Sequence, residues 1–440
     1  MLQGFEVKDF KCHEGYNSIK MPGLTIISGT NNSGKSSFLQ ALYLLTQNRS
    51  KPFPILALNE NLRLGGFNDI LNKQKSSEDS IAFSFDFSSE VIEKSGFDHL
   101  SVTLVYHNPL VFKNLTLDYS DKNPILSHME IQYQKEKKEL QTISLDIVDE
   151  PDTIFFRIKG PEDDGYCKLQ GIVPDPIIFD IFETQDEGNR KICSKDFETI
   201  RNYLSLFTTE NIRYLRALRP EDFIDKKDSS LNSYLGLSGE YTAEIVHKMW
   251  NSPIDFKQKT GKNALFSELF DLWVKNFLGE GYHIRADKTD SEERKYRITI
   301  EEVDRNLQLN LKQVGVGISQ ILPIITLVFT SKAHDIILIE NPEVHLHPQL
   351  QAFFVDLCLF AVENNRKLII ETHSEHVINR LRYRVKENPT YLEKIDILFL
   401  EKIKGDIKYT EVHLSDDGTI DYWPENFFDQ SYKDLLGIIR

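Results

Sequence analysis

One eight-residue segment constrains this chain more than any other. Residues 29–36 read GTNNSGKS and match the pattern GxxxxGK followed by Ser or Thr. An apolar run at residues 24–28 precedes the segment and predicts a buried strand, and apolar residues at helical spacing follow it. Strand, glycine-bracketed turn and helix predict a loop whose backbone N–H groups face a polyphosphate at the positive end of the helix. We expect Lys35 to reach the β- and γ-phosphates and the Ser36 hydroxyl to bind Mg²⁺.

A second apolar strand is predicted over residues 336–339 and ends in the acidic residue Glu340. P-loop proteins use a carboxylate in this position to hold Mg²⁺. The other interpretation is a surface glutamate that follows an edge strand. Because a P-loop lies upstream, we favour the metal role and expect Ser36 and Glu340 to be the protein's two metal ligands.

Composition limits the classes of function. The chain has 440 residues, so we expect two or three compact units. Its formal net charge of -15 argues against a protein that coats nucleic acid through a basic surface. A locally basic groove is still compatible with this net charge. The four cysteines have no CxxC spacing, which suits a reducing cytosol. Residues 1–11 lack a signal peptide's apolar core, and the longest apolar stretch, residues 321–329, is too short for a bilayer. The expected location is cytoplasmic, without a membrane.

Two further motifs separate this chain from an ordinary GTPase or kinase. A turn that contains Gly317 and Ser319 precedes the acidic strand and leads into a helix. His373 lies just beyond the next predicted strand. An ABC-type ATPase needs both features, because the turn caps the γ-phosphate bound to the opposite subunit and the histidine senses that phosphate.

The order of four motifs along the chain resembles a known group of proteins. GTNNSGKS, VGVGISQILP, LIENPEVHLHP and ETHSE occur in the order of the RecF/SMC-like ABC ATPases, and more narrowly of the OLD-type ATPases of bacterial anti-phage systems. Weaker similarities are LGGFND after the P-loop helix, YLRALR in mid-chain and WPENFFD near the end. The resemblance implies an α/β fold, with an ABC-type P-loop ATPase head, an antiparallel β meander and a helical insertion.

This fold divides the sequence into four predicted parts. Residues 1–85 form the N-terminal part of the ATPase head with the P-loop, and residues 86–194 form the antiparallel meander. Residues 195–310 form a mainly helical insertion. Residues 311–440 form the C-terminal part of the head. This part contains the signature turn with Gly317 and Ser319, the Walker B acid Glu340 with the loop that follows it, and the switch histidine His373 with its turn.

The resemblance also implies a role for each motif residue. The implied nucleotide-binding residues are Gly29, Asn31, Asn32, Ser33, Gly34, Lys35, Ser36, Ser37, Gly317 and Ser319. The implied catalytic residues are Lys35, Glu340, Asn341, Glu343 and His373. Since Ser319 would act on the partner's nucleotide, the chain is expected to form a head-to-tail homodimer or a higher homo-oligomer, with ATP and Mg²⁺ as cofactors.

Position 341 departs from the family pattern, in which a polarising glutamate usually follows the Walker B acid. The residue here is Asn341, and an amide cannot serve as a general base. Either Glu343 takes that role, or the protein mostly binds ATP and hydrolyses it slowly. We favour an ATPase of low but real turnover.

Two classes of function stay open. The first is an ATPase sensor of anti-phage defence that governs a separate nuclease or toxin. The alternative is a RecF/SMC-like repair or recombination ATPase that binds duplex DNA directly. A third class, a scaffold with a degenerate nucleotide site, is supported only by Asn341. The acidic charge favours the first class. An intrinsic nuclease is not expected, because residues 374–440 contain no DxD pair in a suitable setting.

Substitutions at 341 and 343 test the two candidates for the polarising residue. We expect Glu343→Gln or Asn341→Asp to change the rate of ATP turnover, because each exchanges a carboxylate and an amide. The measurement is phosphate release by the purified protein. Turnover that is unchanged in both variants would contradict the assignment of either residue.

Overall fold

The protein's structure is a computed structural model that describes residues 2–45, 54–87, 96–112, 123–149, 154–179, 190–208, 212–220, 235–257, 263–290 and 295–428. The chain divides into two compact units. The first unit comprises residues 1–21, 32–211 and 402–408, and the second comprises residues 22–31, 212–401 and 409–440. This agrees with the two or three units expected from length, while the four-part division of the sequence stays a prediction.

Both units contain strands and helices. In chain order the described strands are β1 Leu2–Lys8, β2 Tyr16–Lys20, β3 Leu24–Gly29, β4 Ile81–Phe87, β5 Phe97–His107, β6 Ile125–Lys135, β7 Gln141–Ile147, β8 Phe156–Lys159, β9 Asp164–Cys167, β10 Leu169–Gln170, β11 Val173–Pro174, β12 Ile177–Phe179, β13 Arg190–Ile192, β14 Ile212–Leu215, β15 Pro253–Lys257, β16 Asn263–Leu265, β17 Tyr282–Asp290, β18 Lys295–Glu302, β19 Leu307–Asn310, β20 Ile336–Glu340, β21 Lys367–Glu371, β22 Ile395–Ile403 and β23 Asp406–Glu411. The described helices are α1 Lys35–Leu44, α2 Phe67–Ile70, α3 Lys195–Thr208, α4 Thr242–Met249, α5 Phe266–Leu278, α6 Val316–Thr330, α7 Pro348–Glu363 and α8 Glu375–Glu387. None of the helices in the described part of the chain has the length and apolarity needed to span a bilayer.

The first unit is built on a ten-stranded sheet with the order β13-β12-β9-β8-β7-β6-β5-β4-β1-β2. Its sequence alternates as a half-buried strand requires: in β5 every second residue from Leu100 to Tyr106 is buried. Neighbouring strands are antiparallel, as in the β4–β5 pair of Phe85 with Val102. The predicted antiparallel meander is therefore confirmed, and the sheet also takes in β1, β2 and most of β4 from outside residues 86–194.

The second unit is built on a six-stranded sheet with the order β14-β20-β21-β3-β22-β23. Each neighbouring pair from β14 to β22 is parallel. Every residue of β3 and of β20 is buried, which is typical of a parallel sheet covered on both faces. Because the strands run in one direction, their carboxyl ends meet at a single edge, and this edge carries most of the motif residues.

Residues 195–310 differ from the prediction of a mainly helical insertion. Helices α3, α4 and α5 lie in this segment, but β17, β18 and β19 form an antiparallel three-stranded sheet within it. The reason is a period of two in the apolar residues: Ile284 and Ala286 on β17, and Ile298 and Ile300 on β18, are buried between more exposed neighbours. Apolar residues have helical spacing only in the stretches that form α3, α4 and α5.

A buried ion pair joins the first two strands of the second unit's sheet. The Nε of Arg213, on β14, donates to Oδ2 of Asp335, the residue before β20, at 2.7 Å. The two side chains are 8% and 5% exposed. The pair fixes β14 beside β20 in the register Tyr214 to Leu338, which positions the residues at the carboxyl edge.

Removing one partner of this pair should destabilise the second unit strongly. We expect Arg213→Ala to lower the free energy of unfolding by about 3–5 kcal/mol, because it leaves Asp335 buried without its counter-charge. Urea denaturation followed by tryptophan fluorescence measures this change, since Trp250, Trp273 and Trp423 all lie in the second unit. The control is Arg305→Ala, which removes the exposed partner of Glu302 and should cost less than about 1 kcal/mol. Equal losses in both variants would contradict the expectation.

Candidate functional site

The carboxyl ends of three adjacent strands bring the motifs of the second unit together. Glu340, at the end of β20, is in register with Glu371 at the end of β21, and Glu371 is in register with Ile27 on β3. Hydrogen bonds continue past the strand ends: the N–H of Asn341 donates to the Glu371 carbonyl at 2.8 Å, and the N–H of Thr372 donates to the Ile27 carbonyl at 3.1 Å. The Walker B loop, the switch turn and the start of the P-loop therefore leave the sheet side by side.

Glu340 is held in a buried position by residues that follow β14. Its side chain accepts hydrogen bonds from the Tyr214 hydroxyl and, at 3.3 Å, from the N–H of Ala217. The residue is 9% exposed, and its strand lies between β14 and β21. Glu340 is therefore not a surface residue at the end of an edge strand. Its carboxylate has the fixed orientation that a metal ligand requires.

Glu343 connects the Walker B loop to the switch turn. Its Oε2 accepts from the Thr372 hydroxyl at 2.9 Å, and its Oε1 accepts from the N–H of His373 at 2.6 Å. Asn341 makes this approach feasible because its φ of 40° turns the chain back, and asparagine tolerates the left-handed region better than most residues. Both oxygens of Glu343 thus fix the turn that carries His373, whose own side chain is exposed.

Arg219 places a buried positive charge beside these carboxylates. Its Nη2 donates to the backbone carbonyl of Glu340 at 2.7 Å, and the residue is 6% exposed. Burial lowers the pKa of Arg219 to about 10, while the charges of Glu343 and Glu340 act in the opposite direction. Its Nε and Nη1 have no hydrogen-bond partner among the described residues.

The signature turn lies at the N-terminus of α6, close to the Walker B loop. The Ser319 hydroxyl donates to the Val316 carbonyl at 2.7 Å, and the residue is 1% exposed. Gly317 packs against the same loop, since a Cβ at this position would lie 3.0 Å from the His345 carbonyl oxygen. The proposed action of Ser319 on a partner's nucleotide stays a prediction.

The first residues of the P-loop belong to the second unit. Gly29 has a φ of 149°, and a Cβ there would lie 1.9 Å from the carbonyl oxygen of Leu400 on β22. The N–H of Thr30 donates to the same carbonyl at 3.0 Å. Only glycine fits at this point, because the loop leaves the sheet in direct contact with the neighbouring backbone.

The rest of the P-loop belongs to the first unit, where helix α1 begins at Lys35. Gly34 has a φ of 89°, and a Cβ there would lie 2.6 Å from Sγ of Cys12. Lys35 itself is 4% exposed. Ser36 follows it in the first turn of the helix. The predicted order of strand, glycine-bracketed loop and helix is confirmed, whereas the binding roles of Asn31, Asn32, Ser33 and Ser37 stay predictions.

Sequence reasoning missed His13, which supports the P-loop in the first unit. Its Nε2–H donates to the Gly34 carbonyl at 3.1 Å, and its ring lies 4.5 Å from the ring of Phe38 on α1. Burial lowers the pKa of His13 to about 4, so the ring is neutral at physiological pH. A lone histidine on a connection after β1 carries no signal of this contact. Tyr214 was also missed as a site residue, because the YLRALR motif does not indicate a contact with Glu340, 126 positions away.

A cavity of about 340 Å³ opens at the carboxyl edge of the second unit's sheet. Its lining combines the start of the P-loop and the switch histidine with residues near the C-terminus. The lining residues are Ser28, Gly29, Thr30, His373, Phe399, Asn426 and Phe428.

A family model for the AAA ATPase domain (AAA_15) matches residues 1–378. The chain belongs to this family. The fold class predicted from the sequence, an α/β P-loop ATPase head with a large antiparallel sheet, is thereby confirmed. A second model, described as a protein of unknown function (DUF3696), matches residues 392–438.

This ATPase is also similar to single proteins and solved structures. It is 32% identical to endonuclease GajA of Bacillus cereus (strain HuB5-5) over 116 residues, which cover 22% of this chain and 17% of GajA. Its structure is similar to an SMC head domain from Thermotoga maritima, with a TM-score of 0.39, 11% identity and coverage of 94% and 99% of the two chains. A second similar structure is an Smc head domain with an extended coiled coil bound to the C-terminal domain of ScpA, derived from Pyrococcus furiosus. For this structure the TM-score is 0.44 and the sequence identity is 11%, with coverage of 100% of this chain and 99% of the other.

The buried His13 predicts a pH dependence of stability in the first unit. Its pKa is lowered from 6.5 to about 4 on folding, so the unfolded chain binds the proton more tightly. The stabilisation is complete above pH 6.5 and is lost as the pH falls towards 4, by about 3 kcal/mol in total. His13→Gln should flatten this part of the profile.

Urea denaturation between pH 4 and 7, followed by far-UV circular dichroism, measures the effect. His413→Gln changes an exposed histidine, and its profile should match that of the unmodified protein. A His13→Gln profile as steep as that of the unmodified protein would contradict the prediction.

Proposed function

We propose that this chain is an ATP-dependent switch. It binds ATP with Mg²⁺, hydrolyses it slowly, dimerises head to tail and controls a separate effector in anti-phage defence. The observation that carries the proposal is the bridge from Glu343 to Thr372 and His373, because it couples the Walker B loop to the turn that would sense the terminal phosphate.

The residues present fit a nucleotide and its metal ion. A side chain at position 29 or 34 would clash with neighbouring atoms, and glycine avoids the clash. The loop backbone can therefore face a ligand. Lys35 and Ser36, at the start of α1, would hold the phosphates and Mg²⁺. No group of three or more His, Cys, Asp or Glu side chains in the described part of the chain is arranged to hold a metal. A Mg²⁺ bound mainly through phosphate oxygens and water needs no such group.

ATP would supply the terminal phosphate whose presence or absence sets the state of the switch. The chain's own part is a path of contacts within the second unit. A displacement of the His373 turn would move Glu343, and with it the loop that carries His345. Since the His345 carbonyl packs against Gly317, the displacement would reach the signature helix α6, where a partner subunit is expected.

Glu343 supports the switch turn rather than standing ready as an unengaged base, which agrees with slow turnover. A general base must reach the proton of an attacking water. Both oxygens of Glu343 already accept hydrogen bonds from the switch turn, and Asn341 offers only an amide. Low turnover suits a protein whose ATP-bound state is the active one.

The nature of the effector rests on similarity to known proteins. The OLD-type resemblance supports a role in anti-phage defence, and the partial similarity to an endonuclease supports a nuclease as the controlled activity. The alternative is a RecF/SMC-like ATPase that binds duplex DNA. Against it, Arg380 and Arg384 on the basic helix α8 both donate to Asp356, at 2.6 and 2.7 Å. Arg384 also donates to Glu387 at 2.6 Å, so two carboxylates already balance the two positive charges.

Two substitutions separate nucleotide binding from dimerisation. Lys35→Ala should abolish ATP binding, because the loop loses its phosphate-binding ammonium group. Gly315→Arg should preserve ATP binding and abolish the ATP-dependent dimer, because Gly315 is exposed, has open space beside it and begins the signature turn. Titration calorimetry and light scattering with Mg²⁺ and a non-hydrolysable ATP analogue measure the two properties.

The control is Gln308→Arg, which adds the same charge at an exposed position on β19 and should still dimerise. ATP binding by Lys35→Ala as tight as that of the unmodified protein would contradict the switch. Co-purification of a nuclease or toxin encoded by a flanking gene would support the effector. Salt-sensitive, ATP-dependent binding of duplex DNA by the isolated chain would favour the alternative instead.

A further inference from the structure

A short aromatic turn near the C-terminus is anchored firmly to the second unit's sheet. Residues 423–428 read WPENFF and lie within the match to the family of unknown function. Phe427 is fully buried and meets Phe399 on β22 edge-on, with 5.3 Å between the ring centroids. The Trp423 ring lies 5.5 Å from Phe427, and its Nε1 donates to the Phe427 carbonyl. The turn therefore has a fixed position beside the carboxyl edge.

The two residues on either side of Phe427 adopt backbone angles that fix the direction of their side chains. Asn426 has a φ of 64° and Phe428 a φ of 51°. Asparagine is enriched in this left-handed region, whereas phenylalanine rarely enters it. Such a backbone persists only where the surroundings hold it. Here the buried Phe427 holds the backbone, and the Asn426 Nδ2 donates to Oε1 of Glu401 at 2.6 Å.

Asn426 and Phe428 line the 340 Å³ cavity described above. Residues 28–30 at the start of the P-loop, His373 and Phe399 line it as well. The lining residues of this cavity include no carboxylate, although the chain is acidic overall. They do include hydroxyl, imidazole and amide groups, all of which can donate hydrogen bonds. This chemistry suits a phosphoryl group.

We propose that the WPENFF turn closes the terminal-phosphate end of the nucleotide site and that Asn426 is a binding residue for that phosphate. The inference rests on the proposed function, because the P-loop and His373 identify the ligand as a nucleoside triphosphate. It assigns to the C-terminal segment the task of distinguishing ATP from ADP. The segment would contact the group that ADP lacks.

Two substitutions at position 426 test this assignment with residues that tolerate the left-handed backbone. Asn426→Gly removes the amide and keeps the left-handed backbone, and Asn426→Asp keeps the shape but adds a negative charge. Calorimetry with Mg²⁺ measures the affinity for a non-hydrolysable ATP analogue and for ADP. We expect Asn426→Gly to weaken binding of the analogue roughly tenfold, and Asn426→Asp to weaken it at least as much. ADP binding should not change.

The control is Glu425→Ala, in the same turn, whose exposed side chain lies outside the cavity lining and should affect neither ligand. An unchanged ratio of analogue to ADP affinity in both Asn426 variants would overturn the inference. An equal loss of both ligands would also overturn it. In either case the proposed function would stand, provided that the unmodified protein binds the analogue and Lys35→Ala does not. Failure of the unmodified protein to bind either nucleotide would overturn both proposals.

Discussion

The second unit depends on the parallel alignment of β20, β21 and β3. This register places Glu340, Glu371 and Ile27 in one row, and each following loop is joined to its neighbour by a backbone hydrogen bond. The buried strands end at the carboxyl edge of the sheet, and polar loops follow them there. Ionisable groups are therefore close together at this edge and stay outside the apolar core. The binding crevices of open parallel sheets are found at such edges for the same reason. Glu343 then links two of the loops by side-chain contacts.

Two kinds of support surround this edge. Backbone contacts are rigid: Gly29 lies against Leu400 so closely that no side chain fits between them. Side-chain contacts are adaptable: Glu340 is oriented by Tyr214, and the His373 turn is oriented by Glu343. A site that binds a polyphosphate and then responds to its loss needs both. The rigid part fixes the ligand's position, and the adaptable part responds to the presence of one phosphate.

Local patterns predicted the parts of the structure that local forces determine. The apolar runs before Gly29 and Glu340 are buried strands, and the loop before Lys35 leads into a helix, as their sequences require. Contacts between distant segments left no such pattern. Nothing near His13 indicates its bond to Gly34, and nothing near Asn426 indicates a cavity beside Thr30. The strands β17 and β18 were missed because helical spacing on both sides masked their period of two.

The division of the chain into two units affects how the protein is made. Strand β3, at residues 24–29, pairs with β21 at residues 367–371 and with β22 from residue 395. A ribosome therefore releases the middle strand of the second unit's sheet long before either neighbour exists. Folding of that sheet has a high contact order, which makes it slow and leaves an apolar strand exposed during synthesis. The first unit's sheet, in which most neighbours are close in sequence, can assemble earlier.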